Sequence, residues 1–155
     1  MAQEIERKFL VSSDDWKSAV ESSARLQQGY LSTSAKATVR VRIYDDKEAM
    51  LTLKGKAVGI SRAEFEYAIP LEDARELMEM SRPNVIEKRR YNVPFENHLW
   101  EVDVFEGHHA GLIIAEVEMG SVDEHVHLPD WVGLEVSEDD RYANASLSRT
   151  PGIPR

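Results

Sequence analysis

The chain has 155 residues, 42% hydrophobic and 30% charged, with a formal net charge of −9 and no cysteine. That length can bury a full core as one domain, residues 1–155, and the lack of cysteine excludes disulfides and zinc–thiolate sites. The acidic balance argues against nucleic-acid binding, while no apolar run or leader pattern points to a membrane, so a cytoplasmic location is expected.

Residues 4–11 alternate, with Glu4, Glu6 and Lys8 on one face of a strand and Ile5, Phe9 and Val11 on the other. Ser12-Ser13-Asp14-Asp15 reads as a helix start, with Trp16, Ala19 and Val20 as its short apolar stripe. A strand is expected over 26–31, carrying Gln28 and Tyr30 on one side, and another over 37–44, where Val39-Arg40-Val41-Arg42-Ile43 alternates cleanly. Asp45-Asp46-Lys47 is turn chemistry, returning the chain as a hairpin strand over 49–54. Residues 55–59 form a loop without the glycine–lysine spacing of a nucleotide P-loop. A strand over 61–69 follows, with Glu64 and Glu66 opposite Phe65, Tyr67 and Ile69, and Pro70 opens an amphipathic helix.

Residues 85–93 place Lys88 and Arg90 together on one face. After the turn at Pro94-Phe95-Glu96-Asn97, residues 98–106 alternate Glu101 and Asp103 with Trp100, Val102 and Val104. The last alternating strand, 112–119, presents Glu116 and Glu118. Ser121-Val122-Asp123-Glu124 has the capping-box pattern, predicting a short helix that ends by Pro129. A final helix is expected from 137 to about 147, with Pro151-Gly152 marking a loose tail. Eight strand candidates and a few short helices predict a β-dominated α+β fold of antiparallel hairpins, with room for closure into a barrel.

The charged residues of matching strand parity come in doublets of one sign. The acids are Glu4, Glu6, Glu64, Glu66, Glu101, Asp103, Glu116 and Glu118; the bases are Lys8, Arg40, Arg42, Lys54, Lys88 and Arg90. A sheet with one solvated face would explain any single doublet. Repetition on strand after strand fits a closed lumen better, because buried charges must be paired or coordinated. Carboxylate pairs suit hard divalent cations and arginine pairs suit phosphate oxygens. His108-His109 and His125-Val126-His127 lack metal-ligand spacing and read as loop or surface residues, and Trp16, Trp100 and Trp131 read as packing.

Glu4-Ile5-Glu6-Arg7-Lys8 resembles the ExExK signature of the CYTH superfamily, the triphosphate tunnel metalloenzymes. The likeness continues in order through Val39–Arg42, Thr52-Leu53-Lys54, Glu64-Phe65-Glu66, Glu87-Lys88-Arg89-Arg90-Tyr91, Glu101-Val102-Asp103-Val104-Phe105, Glu116-Val117-Glu118 and Arg141-Tyr142-Ala143-Asn144. It is nearest the short bacterial members that hydrolyse inorganic tripolyphosphate. The resemblance implies a closed eight-stranded antiparallel β-barrel, a tunnel with short helices packed outside, that hydrolyses a linear triphosphate with Mg²⁺ or Mn²⁺. It implies Glu4, Glu6, Asp103, Glu116 and Glu118 as metal-side carboxylates, with Glu64, Glu66 and Glu101 as second-metal or supporting residues. Lys8, Arg40, Arg42, Lys88 and Arg90 would hold phosphate. Lys54, with Tyr30 nearby, would act on the attacking water, either as a base, as the resemblance favours, or as a permanent cation.

The substrate alternatives are thiamine triphosphate, a nucleoside triphosphate or the ATP of a class IV adenylyl cyclase, each of which calls for a base-recognition site this chain does not display. A non-catalytic polyphosphate-binding module is the other alternative, and the many carboxylates speak against it. The expected partner is a small anionic triphosphate, not nucleic acid or membrane, and a homodimer stays open. Asp140 and Ala143 stand where some relatives carry basic residues, which implies less positive charge at the tunnel mouth.

Overall fold

The computed structural model describes residues 3–34 and 36–154. Among them, the strands are β1 Gln3–Val11, β2 Ser22–Thr33, β3 Ala37–Tyr44, β4 Glu48–Gly55, β5 Ser61–Ile69, β6 Val85–Phe95, β7 His98–Phe105, β8 Ile113–Glu118 and β9 Val132–Glu135. They follow the order β5-β4-β3-β2-β6-β7-β8-β1, and β1 pairs back onto β5. Pairs Gln3↔Ala63, Glu4↔Arg62 and Ile5↔Ser61 make that closure. The expected antiparallel barrel is present, and the four-residue β9 extends the other half of the same β1 edge, from Phe9↔Glu135 to Val11↔Val132.

Local chemistry sets the joints. Asp45 and Asp46 take φ of 51° and 56°, the left-handed pair that a tight hairpin needs. The helix α1, Leu71–Ser81, lays Ala74 and Met78 on Val41, Ile43 and Ala49 outside the barrel. Its closest approach is to Gly29 of β2, where a Cβ would stand 2.6 Å from Ser81 Oγ and 2.9 Å from Met78 Sδ. Only glycine leaves room there for the helix.

A second outer cluster joins Phe9, Val93, Val102 and Val117 to Trp16, Trp100 and Trp131, so the tryptophans pack as expected. Trp16 arrives on a 3-10 turn, Asp15–Ala19, instead of the expected α-helix. Residues 121–129 are not helical either. The Glu124 carboxylate accepts from the Gly120 amide at 2.7 Å and from His98, so it is not free to close a capping box. The chain instead turns at 122–123 and runs without regular structure to β9.

The C-terminal segment forms a 3-10 turn, Asp140–Tyr142, and the short helix α2, Asn144–Arg149. His109, expected in a loop, sits in a 3-10 turn but is buried, and its Nε2 donates to the carbonyls of Leu147 and Thr150 at 2.7 and 3.0 Å. The Leu147 carbonyl also accepts from the Thr150 amide at 3.2 Å, so His109 adds a second donor at the end of α2. The tail beyond is docked, not loose, because the Gly152 amide donates to the His108 carbonyl at 2.8 Å. Tyr142 and Leu147 pack with Ile86, Ile114, Phe105 and Leu10. By strand parity those barrel residues point inward, so an apolar floor fills one end of the lumen.

Candidate active site

Above that floor the barrel holds a cavity of about 280 Å³. It is lined by every candidate side chain named from the sequence except Asp103: Glu4, Glu6, Lys8, Tyr30, Arg40, Arg42, Lys54, Glu64, Glu66, Lys88, Arg90, Glu101, Glu116 and Glu118. Alternation explains the convergence, since each strand turns every second residue inward and closure makes all inward faces one surface. Cross-strand register then sets the neighbours. Glu6 faces Glu118 and Lys8 faces Glu116 across β1 and β8, Glu101 faces Glu116 across β7 and β8, and Lys54 faces Glu64 across β4 and β5.

Asp103 lies beneath the lining, and both its oxygens are spent on cations. Arg90 forks onto it at 2.8 and 2.9 Å and Lys88 Nζ reaches it at 2.6 Å, in a trio whose side chains are at most 12% exposed. Burial alone would raise the Asp103 pKa, but Arg90 and Lys88 outweigh it and hold the group well below the usual carboxylate range. Lys88 also donates to Asn144 Oδ1 at 2.9 Å, which brings α2 to the lumen wall.

The acids divide by their company. Burial would lift Glu116, but Lys8 and Arg90, at 3.8 and 3.6 Å, bring it down to about 2. Glu4 is lowered in the same way, with Lys54 at 2.9 Å outweighing its burial. Glu6 forms no ion pair among the described residues; burial, then Glu116 and Glu4, push it up to about 8. Glu64 is raised to about 7 by burial and by Glu4, although Lys54 stands 3.5 Å away. Burial raises Glu101 against the pull of Arg90.

These shifts fix a stability profile. Unfolded, Glu6 and Glu64 lose their protons near 4.5; folded, they keep them to about 8 and about 7. In that window the folded chain binds more protons, so stability falls as pH rises. The depressed Glu116 acts oppositely, and its contribution is lost as pH drops through about 2; Lys88, brought down to about 7 by burial, offsets part of the decline only above that pH. The melting temperature of the metal-free protein is expected to fall by several degrees between pH 5 and pH 8. A flat or rising profile in differential scanning fluorimetry would contradict the crowded acid wall.

The residues fit a hard divalent cation in chemistry. The acid wall offers only oxygen donors, and its Glu6 is buried beside Glu116 and Glu4 with no ion-pair partner among the described residues, an arrangement that a bound cation would relieve. Among the described residues no group of three or more such side chains already stands in coordinating geometry. The opposite wall fits an anion. Arg40 Nε is buried without an acceptor, while its Nη2 donates to Thr52 Oγ1 at 3.2 Å and Thr52 donates on to Glu66 at 3.1 Å.

Sequence reasoning missed Arg62, Tyr44 and Thr38, which also line the cavity. Arg62 shares the parity of Glu64 and Glu66, and Thr38 and Tyr44 that of Arg40 and Arg42, so extending each doublet by one step would have found them. Asn144 lines the lumen as well, although it belongs to no strand.

The CYTH domain family matches residues 2–150. The chain is 45% identical over 152 residues to the inorganic triphosphatase of Acetivibrio thermocellus, covering 97% of this chain and 96% of that one. It is 36% identical over 149 residues to the inorganic triphosphatase of Nitrosomonas europaea, covering 94% and 96%. A solved inorganic triphosphatase structure superposes with a TM-score of 0.68 at 34% identity, covering 100% of this chain and 99% of the other. A protein from Pyrococcus horikoshii, 21% identical with a TM-score of 0.61 and covering 77% and 80%, shares the fold.

Proposed function

This chain belongs to the CYTH domain family, and from that premise we propose that it hydrolyses inorganic tripolyphosphate to pyrophosphate and phosphate with Mg²⁺ or Mn²⁺. The observation that carries the reading is the facing of a carboxylate wall and an arginine–lysine wall across one cavity of about 280 Å³. The names of the near-full-length relatives support the same substrate class. The lining residues are charged or polar almost throughout and offer no apolar slot for a nucleobase or a thiamine ring.

Glu4, Glu6, Glu116 and Glu118 would hold the cation, which when bound supplies Lewis-acid polarisation of phosphoryl oxygens and offsets their charge. Glu64, Glu66 and Glu101 support that wall. Lys8, Arg40, Arg42, Lys88, Arg90 and Arg62 grip the phosphoryl oxygens, where charge is stabilised as the terminal group transfers. Water attacks the terminal phosphorus, the bond to the bridging oxygen breaks, and pyrophosphate leaves. Asp103 keeps Lys88 and Arg90 aimed. No helix of the described residues is long and apolar enough to cross a membrane, and we assign the activity to the cytoplasm.

Lys54 donates to both oxygens of Glu4, at 2.9 and 3.2 Å, and stands 3.5 Å from Glu64. That arrangement supports the cation over the base. Lys54→Arg, which keeps the charge, is therefore expected to retain turnover within about tenfold and an unchanged pH profile, whereas Lys54→Met loses far more. Collapse of turnover in Lys54→Arg, together with loss of the alkaline-rising limb, would restore the base.

The substrate assignment is tested by phosphate release from tripolyphosphate, pyrophosphate, ATP and thiamine triphosphate with Mg²⁺. Tripolyphosphate is expected to be turned over fastest. Faster release from ATP or thiamine triphosphate would move the assignment to that substrate.

A further inference from the structure

We propose that Gln28 is a positioning residue that turns the Tyr30 hydroxyl proton into the lumen, making Tyr30 a neutral hydrogen-bond donor to the bound triphosphate. This rests on the reading of the lumen as a triphosphate site and adds to it a fixed direction for one proton. Gln28 is fully buried on β2, behind the cationic wall. Its Oε1 accepts from Arg42 Nε at 2.9 Å. A guanidinium can only donate, so the amide cannot be flipped, and the other end of Gln28 must be the NH₂ group. That Nε2 lies 3.1 Å from Tyr30 Oη and 3.5 Å from Asn144 Oδ1.

Asn144 Oδ1 is fixed as an acceptor in its turn, because Lys88 donates to it at 2.9 Å. One hydrogen of the Gln28 amide therefore goes to Asn144 and the other to Tyr30. Tyr30 Oη is obliged to accept, and its own proton must leave in another direction. Among the described residues no side chain or carbonyl takes it. Tyr30 lines the cavity, opposite Arg40 in the β2–β3 register and on the same lumen surface as Lys8, where phosphoryl oxygens would be held. The donor-only Arg42 thus dictates, through one neutral amide, which way a hydroxyl points. A neutral donor there adds a hydrogen bond to phosphate without strengthening the mutual repulsion of the crowded cations.

Gln28→Glu reverses the relay with almost no change of shape. One carboxylate oxygen keeps Arg42, and the other takes the Tyr30 proton that the amide refused. The expected result is a loss of about ten- to a hundredfold in kcat/KM, the size of a hydrogen bond to a charged acceptor, matched by the loss in Tyr30→Phe. The decisive reading is the double variant Gln28→Glu/Tyr30→Phe, expected to be no worse than either single one. A role for Gln28 in packing, or a mere effect of the added charge, would persist without the Tyr30 hydroxyl and make the losses multiply. Multiplying losses, or a Gln28→Glu variant with wild-type kcat/KM, overturn the inference. Should Gln28→Glu not fold, Tyr30→Phe decides alone, and a loss under about twofold overturns it. An unaltered chain that releases no phosphate sinks the triphosphatase reading and this inference together, whereas an active one with a multiplicative cycle sinks only the inference.

Discussion

Glu6→Gln and Glu118→Gln are each expected to lower tripolyphosphate turnover by roughly 10²–10³-fold while leaving the metal-free protein as stable as before, or more so. The two carboxylates face each other across β1 and β8, and neither has an ion-pair partner among the described residues. Nothing in the apo protein is held together by them. Glu6 is a liability to folding above neutral pH, since burial and its acidic neighbours push its pKa to about 8. An amide removes that cost and at the same time offers a divalent cation a far weaker ligand. Turnover and melting temperature at pH 8 should therefore move in opposite directions, with the Glu6→Gln melting temperature raised. Near-normal turnover at saturating Mg²⁺ in both variants would remove this wall from the metal site. A loss of turnover accompanied by a much lower melting temperature would make the residues structural.

Asp103→Asn is expected to act on stability first. The carboxylate is completely buried between Arg90 and Lys88, and the Lys88 side chain is only 1% exposed. Removing one charge of such a set leaves the others uncompensated, at a cost of about 3–5 kcal/mol. For a chain of this size that lowers the melting temperature by roughly 6–20 °C in the metal-free protein. Adding Lys88→Met should recover part of it, because an apolar side chain needs no partner there. Turnover falls as well, since Arg90 loses the fork that aims it. A metal-free melting temperature within about 3 °C of the parent, combined with lost metal stimulation, would return Asp103 to the role of metal ligand implied by the family resemblance.

Much of this architecture was legible because a barrel strand writes its two faces in alternation. The doublets Glu4/Glu6, Arg40/Arg42, Glu64/Glu66, Lys88/Arg90 and Glu116/Glu118 fixed parity strand by strand, and closure then required the charges to meet. The same logic could not separate the lumen's charged part from its floor, since Leu10, Ile86 and Ile114 share the parity of the charged residues. Nor could it show that Asp103, two residues from the exposed-to-lumen Glu101, lies a layer deeper. Strand β2 runs Ser22–Thr33, longer than the expected 26–31, because its polar ends at Ser22, Ser23, Ser32 and Thr33 carry no hydrophobic alternation; Gly29, inside it, makes room for α1. The capping-box pattern at 121–124 misled because Glu124 turns back to the Gly120 amide and is held there by His98, a tertiary contact that no local rule contains. Gln28 was invisible as a functional residue because it is neutral, and its importance lies in which of its two ends faces Arg42.

Ligand linkage follows from the same electrostatics. Cation and triphosphate bind the folded lumen and cancel the charges that destabilise it, so together they should raise the melting temperature and flatten its decline from pH 5 to 8.

The most direct measurement follows the phosphorus atoms themselves. Tripolyphosphate incubated with the protein and Mg²⁺, observed by ³¹P NMR, is expected to lose its central-phosphorus resonance while orthophosphate and pyrophosphate grow in equal amounts. The conversion should stop when EDTA is added. An unchanged tripolyphosphate spectrum with Mg²⁺ and with Mn²⁺, from a folded protein, would contradict the assignment.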